Sequence, residues 1–385
     1  MIPLFIVLFL LLLTLPDLYI WLTFVRGVAG GWWTIAYWAP TALAFVALGC
    51  WLGGVWPEGS VRLFFGLLMC IAVPKAVFAL FSLVGRGVGL FAPQAGKIGT
   101  TLGIVAAIGI CTAFYYGFAH GWKRLVIRET TVVSAGLPPA FDGYRIVHLS
   151  DLHVGTYGKD TTYLSRLVDR VDGLHPDLIV FTGDLVNLSS DELDPFLGVL
   201  SRLRAPDGVY SVLGNHDYCT YRRLDRPHEA ARDHAVLIDH ERAMGWNLLL
   251  NEHRMLHRGR DSIALIGVEN DGRSPFTSRG DLPRAMRGLP EGVFKILLSH
   301  DPSHWRREVL PASDIQLTLS GHTHAMQLKV GRFSPSRWSY PEWGGLYREG
   351  DRQLFVSLGL GGAIPFRFGA WPEIDLLVLQ RESTE

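Results

Sequence analysis

The chain has 385 residues, 49% of them apolar, and its 36 basic and 36 acidic residues balance to zero net charge. That length suits two or three domains, and no clustered Lys/Arg surface marks a nucleic-acid partner. The balance is uneven along the chain. Residues 1–122 hold only Arg26, Arg62, Lys75, Arg86 and Lys97 against Asp17 and Glu58, which leaves 31 basic and 34 acidic residues for 123–385. Cys50, Cys70, Cys111 and Cys219 have neither zinc-motif nor disulfide-framework spacing. Cys219 reads as an inert packed thiol.

Residues 1–122 carry four apolar runs, about 2–25, 32–55, 61–84 and 98–118. Each approaches or exceeds the roughly 20 residues that cross a bilayer's hydrocarbon core. Trp21, Trp32, Trp33, Trp38, Trp51, Trp56 and Trp122 lie mostly near the ends of the runs, as in an interfacial aromatic belt. A signal peptide does not fit the first run, which lacks a basic leader and is followed by three more. The prediction is a multi-pass integral membrane protein of a bacterial inner or cell membrane. Lys75, after Pro74, is the one interior basic residue, to be read either as functional or as a snorkelling side chain. The termini and the 57–60 loop carry more basic residues than the other two loops, which favours a cytoplasmic face for the domain that follows.

Residues 123–385 alternate strand and helix patterns. Strands are predicted at Tyr144–Ser150, Leu178–Thr182 and Val209–Leu213, with helices at Thr161–Leu174 and Asp191–Leu203 between them. This order implies a largely parallel, doubly covered sheet. Short apolar runs at Ser262–Val268, Lys295–Leu298, Gln316–Leu319, Leu354–Leu358 and Ile374–Leu379 predict further strands. Two insertions stand apart: Tyr221–Glu241, read either as a helical cap over the site or as ordinary surface packing, and the aromatic-rich Arg332–Asp351, read either as a loop beside the site facing substrate or membrane or as ordinary surface packing.

Five polar clusters follow these apolar runs: Asp151-Leu152-His153, Gly183-Asp184, Gly214-Asn215-His216-Asp217, Ser299-His300 and Gly321-His322-Thr323-His324. Placed at strand ends, they meet where open α/β sheets bind ligands. They offer carboxylate, imidazole and carboxamide groups but no thiolate, which suits hard or borderline divalent cations. Two such cations clamp the attacking and leaving oxygens of a phosphoryl displacement.

In this order, and with the wider wording "HLSDLHVG", "VFTGDLVN", "VLGNHDY", "LLSHDP" and "LSGHTHAMQ", the clusters resemble the calcineurin-like metallophosphoesterase superfamily. The wording looks like its bacterial membrane-associated branch, which is related to UDP-2,3-diacylglucosamine hydrolases. The resemblance runs from about Tyr144 to Leu379 and leaves the first 120 residues uncovered. It implies a four-layer α/β/β/α sandwich over residues 123–385, here preceded by the four-helix transmembrane domain of residues 1–122. It also implies two divalent metal ions (Mn, Fe, Zn or Co). One would be held by Asp151, His153, Asp184 and His324, the other by Asp184, Asn215, His300 and His322, with Asp184 bridging.

His216 is then the expected proton donor to the leaving group, with Asp217 as its orienting partner, and Asn215 and His216 also facing substrate. Arg367, in Pro365-Phe-Arg-Phe-Gly369, reads either as a ligand of the substrate phosphate or as a structural tether. Where close relatives often carry two glycines after Gly-His-Thr-His, this chain has Ala325 and Met326. The expected activity is hydrolysis of a phosphate ester or anhydride, lipid-linked or envelope-related, by attack of a metal-bridging hydroxide. The competing readings are a non-enzymatic membrane sensor or scaffold on a relic domain, and a nucleotide or protein phosphatase.

Overall fold

In the computed structural model the described residues are 2–28, 30–55, 57–221 and 227–382; Trp56 and residues 222–226 of the first insertion lie outside them. The chain divides into two compact units, Met1–His120 and Gly121–Glu385.

The first unit is all helix. α1 (Ile2–Ile20) runs on through a π turn at Trp21–Val25, and α2 (Gly31–Gly53) returns. α3 (Pro57–Leu67), a second π turn at Leu68–Ala72 and α4 (Val73–Gly89) together make the third rod, and α5 (Ala95–Ala119) the fourth. All four are long and apolar enough to cross a membrane. α4 and α5 meet where Gly85 faces Gly99, so closely that a Cβ on Gly85 would stand 2.8 Å from the Gly99 Cα. Small residues of this kind let membrane helices approach backbone to backbone. Lys75 is not alone: its Nζ lies 2.7 Å from Asp17 Oδ1, and Asp17 is buried.

The second unit stacks two six-stranded sheets. In the first, β1 (Val126–Ser134) pairs parallel with β12 (Glu373–Arg381), and β12 pairs antiparallel with β2 (Arg145–Leu149). Parallel pairs then lead through β3 (Leu178–Phe181) and β4 (Val209–Ser211) to β5 (Asn247–Leu248). The second sheet runs β10 (Gly345–Glu349), β11 (Arg352–Val356), β9 (Leu317–Ser320), β8 (Phe294–Leu298), β7 (Asp261–Gly267), β6 (Glu252–Arg258). Its outermost pairs are antiparallel and its inner ones parallel.

Alternation along each strand divides the apolar side chains among three cores. Val147, Leu149, Ile179 and Phe181 face the helical layer, where they meet Leu164, Leu167 and Val168 of α6 (Thr162–Asp172). Ile146, Leu178 and Val180 meet Leu265, Ile296 and Leu317 between the sheets. Ile266, Leu297 and Val356 pack outward against Trp305 and Val309. These cores define the α/β/β/α layers.

The predicted strand at Ile374–Leu379 forms as part of β12, which inserts between β1 and β2 in the first sheet. Two expectations change. The helix predicted at Asp191–Leu203 forms as a 3-10 segment, Ser190–Phe196, and one α turn, α7 (Leu197–Leu200), since Pro195 interrupts it. The segment read as a cap or as surface packing contains α8 (Pro227–Ala243), which connects β4 to the parallel β5 and buries Leu237 in the helix-facing core. It is a crossover helix of the fold.

Candidate metal centre

The ligand candidates arrive on the carboxyl ends of five parallel-paired strands: β2, β3 and β4 of one sheet, β8 and β9 of the other. The chain must turn sharply as it leaves each strand. Asp151 (φ 52°), His153 (48°), Asp184 (58°), His322 (71°) and His324 (48°) all adopt the left-handed region. Each costs roughly 1–2 kcal/mol there. Backbone hydrogen bonds hold the turns in place, Asp151 N–H to Gly183 C=O at 2.9 Å and His153 N–H to Asp184 C=O at 3.1 Å. Strain of this kind concentrates at functional sites. Gly321 is required by close approach, since a Cβ there would run into Ser150 Oγ and the Asp151 carboxylate.

Two ligand groups result. Asp151, His153, Asp184 and His324 form one, and Asp184, His300 and His322 the other; within each, the donor atoms lie within 4.8 Å of one another. Asp184 is common to both. Its Oδ2 is 3.6 Å from His153 Nε2 and 3.2 Å from His300 Nε2. His153 Nε2 faces His324 Nε2 at 3.2 Å, and His322 Nδ1 faces His300 Nε2 at 3.2 Å. His324 Nε2 lies 3.3 Å from Asp151 Oδ1.

The far side of each ring is tied down. His153 Nδ1 meets Asn187 Oδ1 at 2.8 Å, His300 Nδ1 donates to the Thr182 carbonyl at 2.7 Å, and His322 Nε2 meets Tyr340 Oη at 2.7 Å. Such outer partners fix ring orientation in metal sites. Asn187, Thr182 and Tyr340 were not singled out in the sequence. Asn187 ends the "VFTGDLVN" wording, and Tyr340 belongs to the aromatic loop, so each carried a faint signal.

Burial pushes His153 down to about 3, helped by His216, and His322 down to about 4; His324 falls well below its ordinary value through burial, His153 and Arg367. Neutral imidazoles are ligand-ready. His300 is the exception. Burial opposes its charge, but Asp184 and Asp151 outweigh burial and raise it to about 10. Burial also opposes the Asp184 charge, yet His300 and His216 hold that carboxyl well below the usual range. The field that keeps a proton on His300 is one a divalent cation would enter. Asn215 fits the same role: its Nδ2 donates to Tyr221 Oη at 2.9 Å, while its buried Oδ1 has no hydrogen-bond partner among the described residues. Buried carboxylates, inward-facing imidazole nitrogens and an orphaned amide oxygen together fit divalent metal.

His216 sits beside this cluster, its ring centroid 4.8 Å from that of His153 and 4.4 Å from that of Tyr221. Its Nδ1 donates to the Asn187 carbonyl at 2.7 Å, which leaves Nε2 as the second ring nitrogen.

One expectation is corrected, and the two readings of Arg367 are narrowed to one. Asp217 does not orient His216. Its two oxygens accept backbone N–H groups from Gly214, Asp184, Leu185 and Val186, at 2.8 to 3.3 Å. It thereby ties the Asp184 turn to the Asn215 turn. Arg367 does not offer its guanidinium to substrate either. Only 1% exposed, it donates to the carbonyls of Gly361, Leu358 and Ala370, and its Nη2 lies 3.1 Å from His324 Nδ1. It is a tether behind His324.

Asp271, His304 and Glu308 form a third group with donor atoms within 4.8 Å. Arg307 already donates to Asp271 Oδ2 at 2.8 Å, and His304 Nδ1 meets Ser299 Oγ at 2.9 Å, so it is a closed polar network.

Comparison with known proteins agrees with this geometry. Residues 144–326 match the family described as calcineurin-like phosphoesterase, and residues 2–122 match that described as probable calcineurin-like phosphoesterase, transmembrane domain. The chain is 30% identical to the uncharacterized metallophosphoesterase YkuE of Bacillus subtilis, over 72% of this chain and 94% of that one. It is 34% identical to the transmembrane protein with metallophosphoesterase domain of Bos taurus, over 63% of this chain and only 54% of the bovine one. It is 29% identical to the UDP-2,3-diacylglucosamine pyrophosphatase LpxG of Chlamydia trachomatis, over 65% of this chain and 88% of that one.

Proposed function

The chain belongs to the calcineurin-like phosphoesterases, and from that premise we propose that it hydrolyses a phosphate ester or anhydride carried on a membrane lipid, using two divalent cations. The observation that carries the reading is Asp184, shared by two ligand groups and flanked by His216. The cations supply Lewis acidity to a phosphoryl oxygen and make a water-derived nucleophile available at neutral pH.

The chain's own residues do the rest. Asp151, His153 and His324 would hold one cation with Asp184, while His300, His322 and Asn215 would hold the other with the same carboxylate. Asn187 fixes both His153 and His216, so the metal ligand and the proton carrier keep one geometry. His216 presents Nε2 for protonation of the leaving-group oxygen. Support for a lipid substrate comes from the four membrane-spanning helices and from the relative named for a diacylglucosamine nucleotide. The charge balance of the loops favours the cytoplasmic face for the catalytic domain.

The test is metal analysis joined to a substrate panel. The full chain, loaded with Mn, Fe, Zn or Co, is assayed on a phosphomonoester, a phosphodiester, a free nucleotide and a nucleotide-linked diacyl lipid. Two metals per chain and the highest kcat/KM on the lipid are expected. Asp184→Asn should lose both metals and more activity than loss of any one histidine. Equal turnover of free nucleotide would remove the lipid, and an Asp184→Asn protein with two metals and normal turnover would remove the bridge.

A further inference from the structure

The membrane unit contains a cleft that the active site does not account for. It measures about 500 Å³ and is lined by Phe24, Val25, Val28, Trp33, Ala36 and Tyr37, at the hairpin between α1 and α2. Val28 is 88% and Trp33 57% exposed, so the cleft opens outward from the helices. Its walls are apolar, and Trp33 and Tyr37 are the residue types that settle at the headgroup level. The one hydroxyl among them is engaged, since Tyr37 Oη donates to the Asp17 carbonyl at 2.8 Å.

An ion pair lies behind the Tyr37 wall. Lys75 Nζ reaches Asp17 Oδ1 at 2.7 Å and lies 4.7 Å from the Tyr37 ring centroid, while Thr41 Oγ1 donates to Asp17 Oδ2. Each of these three polar groups follows a proline, Pro16, Pro40 or Pro74, and π turns at Trp21–Val25 and Leu68–Ala72 lie close to them in the chain. Charged groups inside a membrane are costly, and π turns mark functional positions. Three helices are thus pinned around one ring of the cleft, which makes it a built feature and not a gap between sliding helices.

Charge completes the picture. The Arg86 guanidinium lies over the ring of Phe24, 5.1 Å from its centroid, and Phe24 lines the cleft. The first 120 residues contain two carboxylates, Asp17 and Glu58. Asp17 is taken by Lys75, and no carboxylate pairs with Arg86 among the described residues. Arg26 stands on the α1–α2 turn and Lys97 at the start of α5, so this end of the helices, opposite to His120, carries one sign of charge. A guanidinium beside an apolar groove matches a phosphate headgroup through charge-assisted hydrogen bonds on either face of a bilayer.

We propose that this cleft binds one anionic phospholipid of the bilayer, its phosphate on Arg86 and an acyl chain along Phe24, Trp33 and Ala36. The site is separate from the phosphoesterase centre and does not depend on its substrate.

The test uses the full chain in neutral detergent, titrated with dioleoylphosphatidylglycerol or dioleoylphosphatidylcholine, with bound lipid counted by native mass spectrometry. The anionic lipid should bind about tenfold tighter, because the choline cation of the other lipid offsets the phosphate charge and is repelled by Arg86. Arg86→Gln should remove that preference. Ala36→Phe, which fills the cleft from an exposed position, should weaken binding of the anionic lipid about tenfold with Arg86 intact. Both variants should keep the parent chain's helical circular-dichroism spectrum and monodisperse elution in detergent, which report that the membrane helices carrying them are folded. Equal binding of the two lipids by the parent chain would overturn the charge assignment. Undiminished binding by Ala36→Phe, or displacement of the lipid by glycerol phosphate alone, would overturn the cleft.

Discussion

His216 illustrates how one backbone carbonyl decides a side chain's chemistry. With Nδ1 bound to the Asn187 carbonyl, Nε2 is the nitrogen left for a substrate oxygen, and neither nitrogen is needed by a metal. His216→Ala should therefore leave the metal content unchanged while turnover falls ~10²–10⁴-fold, the usual contribution of a general acid or base. The loss should be smallest on nitrophenyl esters, whose leaving group needs little protonation. Equal losses on good and poor leaving groups would exclude proton donation and leave only phosphate binding. Asp217 and Arg367 show the opposite case. Both were chosen in the sequence for their charge, and both are buried behind the ligands, where backbone groups take their hydrogen bonds. A motif shows which residue types stand near the chemistry, but not which face into it.

At the level of elements, the glycine pair missing after His324 acquires a physical meaning. His324, Ala325, Met326 and Gln327 all have positive φ, 46° to 58°. Glycine adopts that conformation without a steric penalty, whereas L side chains do not. The run is held by Ser334 Oγ donating to the Ala325 carbonyl at 2.6 Å and by the two bonds from Gln327 Nε2 to Ile364 and Phe366. Met326 is 49% exposed, so Met326→Gly removes strain with little packing loss. It should stabilise the catalytic domain by about 1 kcal/mol, read as a higher melting temperature with metal content unchanged. A second element-scale prediction concerns α8. Glu241 near its end is buried and receives the Ser211 hydroxyl; burial, with the Asp217 charge adding, raises its carboxyl from 4.5 to about 8. The folded state thus favours the protonated form. Its contribution is fully present below about pH 4.5, declines as pH rises and is lost above about 8. Glu241→Gln, which mimics the protonated carboxyl, should flatten that slope and stabilise the domain by roughly 2–5 kcal/mol at pH 8.5. Melting curves between pH 5 and 9 with parallel slopes for parent and variant would contradict it.

On the scale of the whole chain, what sequence could reveal depended on how local the cause is. Hydropathy located the four spans, and the strand pattern showed that Asp151, Asp184, Asn215, His300 and His322 would gather at strand ends, because each candidate ligand follows its strand within a few residues. The placement of β12 between β1 and β2 left no such trace, since pairing between opposite ends of the catalytic unit has no local signature. β1 itself was hidden by polar residues on an edge strand, and the Asp17–Lys75 pair by the 57 residues between its members. The same locality predicts that the catalytic unit works alone. Every ligand candidate lies beyond His120, and all three of its cores are closed by residues of that unit. Its true start matters, however. Trp122 stacks on Tyr157 at 5.7 Å, and Gly121 packs so tightly on the Arg367 carbonyl that a Cβ would collide with it. A fragment of residues 121–385 should be soluble, bind the same metals as the full chain and cleave bis-p-nitrophenyl phosphate at a similar rate. A fragment starting at Lys123 loses the Trp122 contact and should melt at a lower temperature. On a bilayer-embedded substrate the 121–385 fragment should be slower than the full chain, because it must first reach the surface by diffusion. Equal rates on the embedded substrate would show that the membrane unit does not serve substrate access, and a folded, metal-loaded fragment unable to cleave the small diester would show that the helices complete the site.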